Sequence, residues 1–377
     1  MRSWFLQSIA IVGCLVVGVT ALALPGGIAL EKRQLSSIPA GETAYPIKAT
    51  IIGNGGNWIK FFFTTDNGKV YMGSWDRIYP YTTYTFEELL PAGSAKANSP
   101  LAATAWDLNT AVGSGVNWAN ANKRGRFYYA DANGIIQERI YVGGGVGWSS
   151  GTIGSLGLTT LGSTGISAVS FFKDDVENVR LYSASASGAL VEAGWGAYGV
   201  STWSTYTVLG SASISNRSPI SFANTKTWST QPLMRGFYGS AGTIHDVAWN
   251  YTWSTGNLAQ PLSDSTGSTN GGYSFAVGVW KVDAGDPNVN MFWCGDGASA
   301  GTLGTLYRAQ YSTTTLTLGA SSAIPFQKEP HSFVFVTSAT AGSPPGDNHL
   351  FTWGNSTGTP AFWHYQLNGD SRQINLH

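Results

Sequence analysis

Two arginines in this chain are each followed, twelve residues on, by a glutamate: Arg126 by Glu138 and Arg180 by Glu192. The glutamates have matching surroundings, Ile136-Gln137-Glu138-Arg139-Ile140 and Leu190-Val191-Glu192-Ala193-Gly194. A turn signal lies inside each interval, Asn133-Gly134 in one copy and Ser187-Gly188 in the other, so each pair belongs to a β-hairpin. Side chains alternate between faces along a strand, so Arg126 points away from the face of Phe127, and arginine and glutamate fall side by side on one face. An ion pair between neighbouring surface strands is the plain reading, and contributes about 0–1 kcal/mol. A binding site is the other. A guanidinium fork donates and a carboxylate accepts, which is what the hydroxyls of a neutral sugar require, while aromatic rings pack on its C–H faces or a methyl group. Only 11% of the residues are charged, and repetition of one pair at one hairpin position in such a chain favours the binding reading. Trp148, Trp203 and Trp253 recur after the hairpins, in Gly147-Trp148-Ser149, Thr202-Trp203-Ser204 and Thr252-Trp253-Ser254. Each is open to two roles, ligand ring or core packing.

The elements that position these residues repeat. Six strand motifs align on Lys60, Arg126, Arg180, Arg235, Asn290 and His349, with steps of 66, 54, 55, 55 and 59 residues. The long first step carries a polar insertion from Asp107 to Lys123. An apolar alternating strand precedes each motif, as in Leu101-Ala102-Ala103-Thr104-Ala105-Trp106 and Ile166-Ser167-Ala168-Val169-Ser170-Phe171. A hairpin and a third strand follow it. No useful stretch has helical periodicity, so the class is all-β. Six β units of about 55 residues predict a six-bladed β-propeller, because each small sheet must bury its faces against neighbours. Two sandwich domains are the alternative, and they rarely repeat one three-strand pattern six times.

Composition bounds the rest. Net charge is zero, which gives no footprint for nucleic acid or an anionic membrane surface, while aromatics reach 13% and Gly numbers 48. Residues 1–23 have a basic start, a short apolar core and a small-x-small end, the pattern of a secretory signal peptide. The apolar run is about 15 residues, short of the ~20 that span a membrane, and no later segment is apolar enough for insertion. Lys32-Arg33 reads as a dibasic processing site ending a propeptide at 24–33, which leaves 34–377 as a single propeller domain on a secreted chain. Cys14 falls in the leader, so Cys294 is alone in the mature chain and an intramolecular disulfide is excluded. Asn250-Tyr251-Thr252 and Asn355-Ser356-Thr357 are glycosylation sequons, and Asn216-Arg217-Ser218 is a third, weakened by Pro219.

The ordered motifs Ser99-Pro100-Leu101-Ala102-Ala103 and Asn178-Val179-Arg180-Leu181-Tyr182, each followed by a glutamate segment and a Trp, resemble the fungal fucose-specific lectins over about residues 44–367. That resemblance implies a six-bladed propeller that binds L-fucose in clefts between adjacent blades, with fucosylated glycans or glycoproteins as partners and no cofactor. Carried over, it implies Arg126 with Glu138 and Arg180 with Glu192 as hydrogen-bonding pairs, and Trp203 and Trp253 as next-blade aromatics. It also implies Tyr141 and Trp195 near the sugar methyl, with Trp148 as a further ring. Repeat four departs by a shorter loop and Asp246 against Arg235, which makes a doubtful third site. Lys60 with Met72, Asn290 with Arg308 and His349 with His364 leave three repeats degenerate. Dimerisation is left open.

A glycosidase is the main rival. The chain has no Ser-x-Asp-x-Gly-x-x-Trp loops of the six-bladed sialidases, and no two carboxylates are visible around one bond. An arginine neighbour should also lower a glutamate's pKa, which is wrong for a general acid. The histidines lack metal-ligand spacing, His349 with His364 being the one pair to weigh. A propeller that has lost sugar binding and serves protein interaction is the second rival.

Overall fold

The computed structural model describes residues 21–23, 29–31, 49–53, 58–64, 67–78, 81–96, 99–107, 123–143, 145–162, 164–173, 176–196, 201–214, 218–224, 233–241, 243–250, 252–261, 275–280, 288–295, 304–313, 315–328, 334–338, 348–354, 361–368 and 373–376. The strands β1 (Ala21–Ala23) and β2 (Ala29–Glu31) pair with each other. Six antiparallel sheets follow, each built from consecutive strands. Blade one is β3 (Ala49–Gly53), β4 (Trp58–Thr64), β5 (Val70–Ile78) and β6 (Tyr81–Leu90). Blade two is β7 (Leu101–Asp107), β8 (Lys123–Ala130), β9 (Ile136–Val142) and β10 (Gly147–Ser150). Blade three is β11 (Ser167–Lys173), β12 (Val176–Ala184), β13 (Leu190–Trp195) and β14 (Trp203–Leu209). Blade four is β15 (Ile220–Asn224), β16 (Met234–Ser240), β17 (Thr243–Asn250) and β18 (Thr252–Pro261).

Blade five is β19 (Phe275–Trp280), β20 (Asn288–Gly295) and β21 (Gly304–Ser312), with β22 (Thr317–Leu318) and β23 (Ser322–Lys328) both on β21. Blade six is β24 (Val334–Ser338), β25 (Asn348–Gly354), β26 (Ala361–Asn368) and β27 (Gln373–Leu376). The six blades therefore have four or more strands each, where the sequence pattern had marked three. Fourth strands such as β10 and β14 escape the pattern because their residues are largely half-buried or exposed and lack a regular apolar alternation. A single 3₁₀ turn, Ile153–Leu156, interrupts the β structure of the described residues.

First strands pack on one another in order, β3 on β7, β7 on β11, β11 on β15, β15 on β19 and β19 on β24, and β24 returns to β3. The ring is closed, which settles the propeller against two sandwiches. Serines tie its inner wall. Ser167 Oγ accepts from the Phe222 amide at 2.9 Å, and Ser221 Oγ accepts from the Val277 amide at 3.2 Å.

Period-two alternation makes the blades stack. In β8, Phe127 faces blade one, where its ring stacks on Phe62 with centroids 4.6 Å apart, while Tyr128 packs into the cluster shared with blade three. Comparable clusters join blades three to four and four to five. Each fully buried Phe or Tyr contributes about 1.5–3 kcal/mol through its apolar area.

Hairpin turns set the register. Gly134 and Gly188 both have φ of +79°, and each donates its amide three residues back, to Asp131 and Ser185 carbonyls. Blade four makes the same connection with two residues, between the paired Ser240 and Thr243. The polar insertion after Asp107 and the sequons at Asn216 and Asn355 lie largely outside the described residues, as do the leader before Ala21 and Lys32-Arg33. No helix among the described residues is long and apolar enough to cross a membrane.

Candidate functional site

All six aligned positions occupy one place in the ladder. Tyr128 is directly opposite Glu138, and Arg126 is two residues before Tyr128. The same relation holds for Arg180, Tyr182 and Glu192. It holds for Lys60, Phe62 and Met72, and for Arg235, Phe237 and Asp246. Asn290, Phe292 and Arg308 repeat it, as do His349, Phe351 and His364. The residue between is tyrosine only where the partner is glutamate. That covariation inside the chain was a readable signal for a third member of each site. Tyr128 donates its hydroxyl to Glu138 at 3.2 Å, and Tyr182 hydrogen-bonds Glu192.

The cleft between blades two and three holds Arg126 with Glu138. Nη1 of Arg126 is 2.6 Å from Glu138 Oε1. The second carboxylate oxygen accepts from the Thr152 amide at 3.1 Å and from Trp203 Nε1 at 3.4 Å. The other edge of the guanidinium is held by a residue absent from the sequence reading. Glu177, at the start of β12, takes Nε at 3.1 Å and Nη2 at 2.7 Å on one oxygen. Trp195 lies across the guanidinium, its ring centroid 4.6 Å from Cζ. Side-chain exposure is 5% for Arg126 and 0% for Glu138. Burial raises the pKa of Glu177, Arg126 offsetting only part of the shift.

The cleft between blades three and four repeats the plan in looser form. Arg180 Nε is 3.1 Å from Glu192 Oε1, with side-chain exposures of 13% and 9%. Nη1 is tied down by the Val179 and Trp195 carbonyls at 3.0 and 2.9 Å, and Nη2 makes one long contact of 3.4 Å to Asn178 Oδ1. Arg180 stacks over Phe171 of its own blade, centroid at 5.2 Å, rather than over a ring of the next blade. Burial raises the Glu192 pKa, opposed by Arg180 and the Tyr182 hydrogen bond. Arginine lowers it as the sequence reading expects, but desolvation outweighs the ion pair and the net direction is upward.

The tryptophans form a repeated box. Trp203 meets Tyr128 edge-on at 6.0 Å and tilts against Trp195 at 5.8 Å. Trp253 meets Tyr182 at 5.8 Å and Trp249 at 5.3 Å, and Trp148 meets Phe62 at 5.8 Å and Tyr141 at 5.3 Å. Trp195 and Trp203 thus join Arg126 and Glu138, whereas Trp253 meets the second constellation through the Tyr182 ring, with Trp249, which the sequence reading passed over, packed beside it. Tyr141 and Trp148 do not join Arg126. They face blade one, where Lys60 and Met72 stand, because the third and fourth strands turn these rings toward the preceding blade. Since the box persists there without a glutamate, it belongs to the blade core as much as to a site.

In the cleft between blades four and five, Asp246 reaches the glutamate position despite the shorter hairpin. It accepts from the Leu258 amide at 2.9 Å and from the Tyr311 hydroxyl, while Arg235 Nη2 donates to the Thr313 carbonyl at 3.3 Å. Burial, then Asp246, raises the Tyr311 pKa. Further round, Arg308 donates Nε and Nη2 to Asn290 Oδ1, at 3.3 and 3.0 Å, reversing the donor and acceptor positions. Lys60 donates to Ser74 Oγ at 2.7 Å. The side chains of His349 and His364 are outside the description, and no cluster of three metal-ligating residues occurs among the described residues.

Two glutamates therefore meet at one arginine, a carboxylate pair that the sequence does not show. Both are committed to Arg126, and the side chain of Glu138 is sealed from solvent.

No family model matches the sequence, and no curated protein does. Solved structures share the fold. AofleA from Arthrobotrys oligospora superposes with a TM-score of 0.67 at 17% identity, covering 89% of this chain and 88% of that one. The Aleuria aurantia lectin, described as a six-bladed β-propeller with a novel fucose recognition mode, gives 0.62 at 19%, covering 88% and 93%. The SapL1 lectin in complex with α-methyl fucoside gives 0.59 at 14%, covering 87% and 97%. The class these comparisons define is the six-bladed β-propeller.

Proposed function

We propose that the protein is a carbohydrate-binding lectin that recognises L-fucose-containing glycans in the clefts between its blades. One observation carries the reading. The Arg–Tyr–Glu constellation is built twice, at identical ladder positions, beside the aromatic pair of the next blade. The carboxylate accepts, the guanidinium donates, and the half-buried Trp195 and Trp249 supply apolar faces for the sugar ring or its methyl. Propellers of the same fold have been crystallised with α-methyl fucoside and with Fucα1-6GlcNAc, which points to the same sugar here. The role is binding and not catalysis, because each glutamate is locked by Arg and Tyr instead of being poised to move a proton. We take the chain to be secreted on the strength of residues 1–23 and Lys32-Arg33.

A glycan array tests the reading. Binding to fucosylated glycans, reduced in Arg180→Ala, is expected. Recognition of non-fucosylated sugars alone would overturn the specificity.

A further inference from the structure

Arg126 and Arg180 occupy the same place in adjacent blades, but their surroundings differ in one respect that bears on ligand access. Nε, Nη1 and Nη2 of Arg126 each lie against a carboxylate oxygen, two of them against Glu177 Oε1. Arg180 has one carboxylate partner among the described residues, and its Nη2 has only the long contact to Asn178. The edge of Arg126 that carries two N–H groups in one plane is the edge suited to a pair of sugar hydroxyls, and Glu177 sits on it. Glu177 belongs to the neighbouring blade, 51 residues away, so it is not part of the hairpin that builds the pair. Trp195 covers the same guanidinium from the blade-three side.

We infer that Glu177 is an internal plug of the cleft between blades two and three, holding the Arg126 donors against sugar until its side chain swings out; this rests on the lectin reading above. The two glutamates differ in how firmly they are held. Glu138 has 0% side-chain exposure and four partners: Arg126, Tyr128, the Thr152 amide and Trp203. Glu177 keeps 24% exposure and lies one residue into its strand, next to Val176. It is the member that can leave. Arg124, two residues before Arg126 on the same face, acts electrostatically on Glu177 and offers a second cation for the displaced carboxylate. Plugging makes the two constellations unequal: one cleft is ready for fucose, and the other exchanges an internal carboxylate for ligand.

Calorimetric titration with methyl α-L-fucoside tests the plug by counting sites. Wild-type protein should lose its tight site on Arg180→Ala and keep its count on Arg126→Ala. Glu177→Ala should gain one tight site, and adding Arg126→Ala should remove the gain. Glu177→Gln, which keeps the volume but not the charge, should fall between and guards against a folding artefact in the alanine variant. A wild-type site already lost on Arg126→Ala, with no gain in Glu177→Ala, overturns the plug and leaves the lectin reading standing. Absence of fucose binding from wild type and every Glu177 variant overturns the lectin reading and the plug with it.

Discussion

Arg126 is paired across the ladder with Ile140, not with Glu138; the glutamate it grips stands opposite Tyr128, one diagonal step away. The diagonal lets a long guanidinium reach over while the tyrosine beneath supplies a hydroxyl to the same carboxylate. Arg180, Tyr182 and Glu192 repeat it.

At the looser cleft, Arg180→Ala should weaken methyl fucoside binding by about 10- to 100-fold, the size of one or two hydrogen bonds to a charged group. Arg180→Lys should not restore it, because an ammonium cannot hold Glu192 and a hydroxyl in one plane. Titration calorimetry reads both. Equal affinity in the two variants and wild type would remove Arg180 from the site.

Glu138 should matter to stability more than any other carboxylate described. Glu138→Ala removes the shortest carboxylate contact of a buried guanidinium and the acceptor of the Thr152 amide, and should cost about 3–5 kcal/mol. Urea unfolding should show the midpoint falling, with Glu138→Gln falling less. An unchanged midpoint would mean the ion pair is decorative.

Gly256 is constrained by its neighbour. A Cβ there would lie 1.9 Å from Asp246 Oδ2, so Gly256→Ala must push the carboxylate off the Leu258 amide. The expected loss is about 1–3 kcal/mol. Gly210→Ala is the control, since the nearest atom is 4.0 Å from its Cβ, and it should stay within about 0.5 kcal/mol of wild type. Parallel thermal melts decide. Equal melting of the two would sink the packing argument.

Burial raises the Glu192 pKa, and the sign of the consequence follows. The folded protein holds this proton more tightly than the unfolded chain. Its contribution to stability therefore increases as pH falls from above the raised folded value toward the ordinary glutamate value. Fucose binding should move the other way, because the acceptor is lost on protonation, and at a higher pH than for an exposed glutamate. Glu192→Gln should abolish the stability component in melts across mildly acid pH. Persistence of that component in the variant would assign it elsewhere.

The architecture was legible because period-two strands and Asn-Gly or Ser-Gly turns are local signals, and six copies reinforce one another. Arginine and glutamate were legible as a pair because one hairpin carries both. Glu177 was not, since it meets Arg126 only after blade three docks, and no local pattern ties residues 51 apart. That Tyr141 and Trp148 turn toward blade one was not legible for the same reason. Hairpin spacing says which residues share a face but not which neighbouring blade that face meets. The tyrosines at 128 and 182 were visible, set against phenylalanine in the other four copies, but their meaning needed the register.

Each sheet is made of consecutive strands, and the last is joined to the first by the same side-by-side packing as any other pair. No strand is lent across the seam among the described residues. The ring thus has no privileged beginning. Each blade is a complete sheet that meets the same kind of neighbour on either side. Adjacent boundaries are nevertheless joined at Trp195, whose ring lies over Arg126 while its carbonyl holds Arg180.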